Sequence, residues 1–121
     1  MDFLIQRDEL LRALSRVQGI VEKRSTTPIL STVLLQAHEG GLRVTATDKA
    51  MTYIGNFAAN VNIPGEVAVD ASNAFAVAKV LAADVVSVSL GDNQRVDVRC
   101  GKSYYKLTGQ AAGDFPPIPP F

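Results

Sequence analysis

The sequence predicts an α+β domain in which two helices pack on antiparallel strands, formed by a βαβββ unit that occurs twice. Two segments carry apolar residues at helical spacing, and the segments between them alternate apolar and polar residues as half-buried strands do. The order strand, helix, three strands recurs after about sixty residues, although the two halves share almost no identities. The chain of 121 residues has the length of a single domain.

The first repeat spans about residues 1–60. A strand is predicted over 2–6, and a helix follows from Asp8, with acidic residues in its first turn. Pro28 limits this helix after the polar loop 23–27. Further strands are predicted over 29–37, 42–47 and 51–59, the second of them with threonines at 45 and 47 on its polar face.

The second repeat spans about residues 61–112 and follows a break predicted over 60–65. A strand over 66–70 leads into a helix that either Asp70 or Ser72 can cap. The apolar face of this helix carries Ala74, Phe75, Ala78 and Leu81. Strands are then predicted over 85–90, 95–100 and 104–108. Four of the six prolines lie in residues 113–121, which we interpret as a linker toward further domains.

Packing both helices side by side on the strands would leave their polar faces on one common surface. That surface is predicted to carry these residues: Arg12, Ser15, Arg16, Ser72, Asn73, Ala76 and Lys79.

Composition excludes several classes of protein. Twelve basic residues balance twelve acidic ones, so binding to nucleic acid by a large positive charge is not expected. The single cysteine cannot form an internal disulfide, which fits a reducing compartment. The acidic start of the chain is unlike a signal peptide, and no apolar run has the roughly 20 residues that span a bilayer. We therefore expect a cytoplasmic protein without a membrane partner.

Residues that could carry catalysis are few. One histidine, His38, and one cysteine, Cys100, cannot provide a zinc ligand cluster, and nothing brings them together as a nucleophile and its base. The Gly101-Lys102-Ser103 sequence lacks the earlier glycine and the following helix of a phosphate-binding loop, so we interpret it as a hairpin turn. We expect no catalytic residue, no metal and no cofactor.

Two other features could bind partners. The loop 23–28 places two cations before three hydroxyl residues, a combination suited to phosphate oxygens, although an ordinary polar loop would look the same. The last strand has Tyr105 and Leu107 on one face. A terminal strand is often an edge strand that accepts a partner, although simple core packing explains the pattern equally well.

Several stretches together resemble the first domain of the bacterial DNA polymerase III β subunit, the sliding clamp family. They are RDELLRALSRVQGIVEKR (7–24), TPILSTVLL (27–35), LRVTATD (42–48), RVDVRCGKSYYKL (95–107) and AGDFP (112–116). The resemblance implies the DNA-clamp (processivity) fold. It also implies that three similar domains form each subunit and that two subunits close head-to-tail into a ring around duplex DNA. Such a ring tethers the replicative polymerase without catalysis, and it binds DNA without sequence preference.

The resemblance also implies roles for single residues. Arg24 occupies the position of a DNA-contacting arginine, and Lys23 stands beside it. At the start of the second helix the family often carries another DNA-contacting arginine followed by a lysine. This chain has Ser72 and Asn73 there, and Ser72 is the third DNA-binding candidate although it has no charge. The subunit interface would be formed by the last strand, whose candidate residues are Lys102, Tyr104, Tyr105 and Leu107, with Asn73 nearby.

Other positions depart from the family. Lys49 and Ala50 stand where the family has a Leu-Glu pair, and Ala82 and Ala83 follow Leu81 where it has Leu-Pro. The cleft for the polymerase and clamp loader would lie in domains that are absent here. The chain is either an excised domain of such a protein or a stand-alone relative. The alternative function is a divergent clamp-like interaction module that uses its edge strand for protein binding and has lost DNA contact.

Overall fold

A computed structural model describes residues 1–18, 32–47 and 51–115, without the side chain of Asp114. The predicted loop 23–27, Lys23 and Arg24 included, lies outside the described residues. Nine strands and two helices occupy the described part of the chain. In chain order they are β1 (Asp2–Gln6), α1 (Arg7–Gln18), β2 (Thr32–His38), β3 (Gly41–Thr47), β4 (Thr52–Phe57), β5 (Asn60–Ile63), β6 (Gly65–Asp70), α2 (Ala71–Val80), β7 (Val85–Leu90), β8 (Arg95–Cys100) and β9 (Ser103–Gln110).

All strand pairs are antiparallel, in the order β4-β3-β2-β6-β9-β8-β7-β1-β5. The end strands of this order, β4 and β5, are consecutive in the chain and are joined only by Ala58 and Ala59. Four consecutive Cα atoms span at most about 11 Å, so the two ends of the sheet must approach each other. The sheet therefore curves, and the helices pack on its concave side.

Strand β5 corrects the prediction of a break over 60–65. Asn60 pairs with Leu4 and Val61 with Phe3, so β5 extends the sheet beyond β1. It follows the first βαβββ unit and precedes the second, which leaves the predicted duplication intact. Its four residues include two asparagines, which are depleted in strands, and pairing with a distant segment forms the strand despite them.

The main core lies between the helices and the concave face of the sheet. Alternate strand residues such as Phe3, Ile5, Val86 and Val88 point into it and are at most 3% exposed. From α1 the core receives Leu10, Ala13, Leu14 and Val17, and from α2 it receives Ala71, Ala74 and Ala78. Helical spacing predicts Leu10, Leu14 and Val17 of α1 and Ala74 and Ala78 of α2, but not the alanines at 13 and 71.

A second, smaller cluster lies on the convex face of the sheet. Phe115 is 7% exposed and packs with Leu34 and Ala68. On the same face Thr45 is fully buried, which corrects the prediction that it lies on an exposed polar face. The packed part of the chain thus extends to Phe115, which was predicted to belong to the linker.

The cap of α2 resolves an alternative that the sequence left open. The Asp70 carboxylate accepts a hydrogen bond from the Asn73 backbone N–H at 2.9 Å, and Ser72 lies inside the helix.

We expect Asp70→Ala to lower the free energy of unfolding by about 1 kcal/mol at neutral pH, because a helix N–H loses its partner. The matched variant Ser72→Ala should leave stability nearly unchanged. Urea denaturation compares them, and equal losses would contradict the assignment.

No helix in the described ranges is both long enough and apolar enough to cross a membrane.

Candidate functional site

The two helices run antiparallel. At one end the Arg7 guanidinium donates to the Leu81 carbonyl at 3.0 Å, which joins the start of α1 to the end of α2. At the other end the Gln18 amide donates to the Ala71 carbonyl at 2.9 Å, which joins the end of α1 to the start of α2. The described chain therefore leaves α1 beside the first residues of α2.

The polar face predicted for the helix layer is exposed. All seven predicted residues are solvent-exposed: Arg12, Ser15, Arg16, Ser72, Asn73, Ala76 and Lys79. Three of them are cations and none is an acid. Since the apolar faces of both helices are buried against the sheet, this surface points away from it, as the sequence predicts. We call these seven residues the helix face.

The candidate DNA residues fall in two groups. Lys23 and Arg24 lie outside the described residues, so the structure reports nothing about them. Ser72, the third candidate, and the interface candidate Asn73 lie exposed in the first turn of α2, beside the point where Gln18 contacts Ala71. Neither side chain carries a positive charge.

Strand β9 lies within the strand order, between β8 and β6, rather than at its end. Its contact with β6 is short, because only Gly109 and Gln110 pair with that strand. A Cβ built at Gly109 would lie 2.5 Å from the Gln94 carbonyl oxygen, so only glycine fits where β9 passes to β6. Over residues 103–108 the strand is paired with β8 alone. The predicted edge therefore exists, but as one open side of an interior strand.

The hairpin between β8 and β9 fixes which main-chain groups face this open side. Its loop consists of Gly101 and Lys102, with Gly101 at φ +59°, as the hairpin prediction requires. In a two-residue hairpin the closing pair is hydrogen-bonded, and bonded pairs then alternate with non-bonded pairs. Cys100 and Ser103 form the closing pair. The N–H and C=O groups of residues 104, 106 and 108 must therefore point away from β8, toward the open side.

Side chains of β9 alternate between the two faces of the sheet. Tyr105 and Leu107 are half-buried and pack against the main core, which confirms that they share a face. Tyr104 and Lys106 point outward, and Lys102 is exposed in the hairpin loop.

Tyr104 is the centre of a charged cluster on the convex face. Its hydroxyl donates to the Asp97 carboxylate at 2.7 Å, and the Arg99 guanidinium lies 4.9 Å from the centre of its ring. The hydrogen bond to Asp97 raises the pKa of the Tyr104 hydroxyl, because the ionised form has no proton to donate to the carboxylate. Tyr104 thus contacts an acidic and a basic side chain although it is 45% exposed.

A groove of about 360 Å³ connects the open side of β9 to the helix face. It is lined by residues from both elements: Asp70, Asn73, Ala76, Val77, Lys106, Leu107 and Thr108. The structure thus brings two predicted interface residues, Asn73 and Leu107, to one groove. The sequence predicted Asn73 and Ala76 for the helix face, and it linked Asn73 to the subunit interface only through family resemblance. It did not single out Lys106, and no sequence signal identifies the groove, because the groove depends on how α2 packs beside β9.

The residues considered for catalysis lie apart. His38 ends β2 and Cys100 ends β8, and strands β6 and β9 lie between β2 and β8. The Cys100 thiol is buried and exchanges hydrogen bonds with the backbone of Ala83 at 3.3 Å. Among the residues that the structure describes, no three His, Cys, Asp or Glu side chains lie close enough to hold a metal ion.

Comparison with solved structures identifies the class of protein to which this fold belongs. The crystal structure of the DNA polymerase sliding clamp from Caulobacter crescentus matches 99% of this chain with a TM-score of 0.92 and 37% sequence identity. The match covers 33% of the clamp chain. The fold is that of a sliding-clamp domain, as the sequence predicts.

Residues 1–119 match the DNA polymerase III beta subunit, N-terminal domain, and the chain belongs to this family. The Beta sliding clamp of Caulobacter vibrioides is 38% identical over 118 residues, which are 96% of this chain and 32% of that protein. The Beta sliding clamp of Escherichia coli is 35% identical over the same shares. The chain thus spans about a third of the length of the relatives it matches.

Proposed function

We propose that this chain is the first domain of a ring-shaped DNA sliding clamp, which encircles duplex DNA and keeps the replicative polymerase on its template. The observation that carries the proposal is that nearly the whole chain matches the N-terminal third of proteins named Beta sliding clamp. The domain would bind and position its partners and would catalyse no reaction. Such a role in replication would place the protein in the cytoplasm.

The DNA would pass along the helix face. This surface carries three cations and no acid, and the loop with Lys23 and Arg24 follows α1 in the sequence. Ser72 could donate a hydrogen bond to a phosphate but adds no charge. The balanced net charge suits a ring, because a protein that holds DNA by enclosing it needs only weak phosphate contacts, and weak contacts permit sliding.

The subunit interface would form along the open side of β9. Three outward main-chain positions, 104, 106 and 108, could pair with a strand of another subunit, and the groove beside them could hold its side chains. The interface residues would be Lys102, Tyr104, Tyr105, Leu107 and Asn73. If the partner strand belongs to a different part of the neighbouring subunit, the contact is head-to-tail, and contacts of this kind can close into the two-subunit ring that we propose.

Contacts with the polymerase and the clamp loader would be made by further domains. The domain predicted from the sequence covers residues 1–112, and the packing of Phe115 extends it to residue 115. The Pro-rich residues 116–121 would lead to those further domains. We propose this arrangement because the relatives are about three times as long as the matched region.

We expect Arg24→Ala to weaken binding of this chain to duplex DNA by a similar factor for every DNA sequence, and to reduce the dependence on salt by roughly one phosphate contact. Fluorescence anisotropy with two unrelated duplexes over a range of salt concentrations measures both effects. Arg43→Ala is the matched control, because Arg43 is an exposed cation of β3 that points away from the helices. Binding that is sequence-selective and insensitive to salt would contradict the proposal.

A further inference from the structure

Four cations lie on the two described helices, and three of them are engaged within the chain. Arg7 donates to the Leu81 carbonyl and forms an ion pair with Asp8 at 3.3 Å. Arg12 forms an ion pair with Glu9, and its guanidinium also lies 5.8 Å from the centre of the Phe57 ring. The Lys79 ammonium lies 4.8 Å from the centre of the Phe75 ring.

Arg16 differs from these three. Its side chain is exposed and has no hydrogen bond, ion pair or ring contact within the part of the chain that the structure describes. No acidic residue occurs among residues 12–20, which are its sequence neighbours within about one turn. It lies in the last turn of α1, where the negative end of the helix dipole favours a cation without a side-chain partner.

Internal contacts decide how much a cation can contribute to binding a phosphate. A guanidinium that already bonds a carboxylate must share or lose that bond when it approaches an anion, and the freed carboxylate then repels the same anion. A cation without a partner can neutralise a phosphate with its full charge. The cations condensed on the DNA at that phosphate then return to solution, and this release drives binding at low salt.

We propose that Arg16 supplies most of the DNA affinity contributed by the helices, whereas Arg12 and Lys79 mainly stabilise the fold. This inference rests on the proposed function, because it assumes that duplex DNA passes along the helix face. Arg12, Arg16 and Lys79 are all exposed on the helix face, so their exposure does not distinguish them, whereas their contacts within the chain do.

The test compares Arg16→Gln with Arg12→Gln, which removes the same charge from the same helix one turn earlier. With the 121-residue chain and a labelled duplex, Arg16→Gln should weaken binding roughly fivefold at low salt and reduce the salt dependence by about one contact. Arg12→Gln should weaken binding about twofold or less, because its charge is already paired. Arg16→Lys should restore most of the affinity, since a point charge suffices for a phosphate.

Thermal denaturation provides the second readout. Arg12→Gln should lower the melting temperature slightly more than Arg16→Gln, because only Arg12 loses an ion pair and a ring contact. Equal loss of DNA affinity in both variants, with wild-type binding intact, would overturn the inference and leave the proposed function standing. Absence of salt-dependent duplex binding by the unmodified chain would instead overturn the DNA-binding part of the proposed function, and the inference with it.

Discussion

Lys106→Pro in the full-length protein should convert rings into monomers. The main-chain N–H of residue 106 points to the open side of β9, so proline would remove a donor for the proposed partner strand and no bond to β8. Its ring also blocks close approach of the partner strand. A buried carbonyl left without its donor costs about 3 kcal/mol at the upper end. A head-to-tail dimer has two such interfaces, so the dimerisation constant should fall by up to roughly ten-thousandfold. Analytical ultracentrifugation measures that constant.

Lys106→Ala is the matched control for this experiment. It removes the same side chain and keeps the N–H, so its dimerisation constant should stay within about fivefold of the wild type. The more obvious variant, Tyr105→Ala, is less informative, because Tyr105 also packs against the main core and its loss would destabilise the fold. If the proline and alanine variants dimerise equally well, the subunit interface does not involve β9.

Periodicity predicted most of the fold because most elements bury one face. Phe3 and Ile5 alternate with polar or exposed neighbours in β1, and Leu10, Leu14 and Val17 follow helical spacing in α1. Each of these patterns lies within one short segment, because an element with one buried face must carry apolar residues at the spacing of that face. The amino-acid sequence alone therefore locates such elements and identifies the residues that point inward from them.

Features that depend on contacts between distant segments could not be predicted in this way. Strand β5 exists because Asn60 and Val61 pair with β1, and its own sequence has weak strand propensity. Thr45 alternates like an exposed residue, yet it is buried on the face where Phe115 packs against Leu34. Neither the pairing of β5 with β1 nor the burial of Thr45 can be inferred from a local sequence pattern.

In the candidate site, too, local patterns were predictable from the sequence and contacts between distant segments were not. Alternation predicted that Tyr105 and Leu107 share a face, and helical spacing predicted the exposed residues of the helix face. The sequence could not show that β9 is interior to the strand order and open along only part of one side, since this follows from its brief pairing with β6. It also could not distinguish Arg16 from Arg12 as cations, because the difference lies in the contacts of Arg12 with Glu9 and Phe57.

Retention on circular DNA tests the central claim most directly. A closed ring holds DNA by enclosing it, so the full-length protein, loaded by the clamp loader of the same organism, should stay on nicked circular DNA through gel filtration at high salt. Cutting the same DNA once should release nearly all of it, because the ring slides off the ends while its phosphate contacts are screened. Equal retention on circular and linear DNA, or retention on neither, would contradict the assignment of this chain to a sliding clamp.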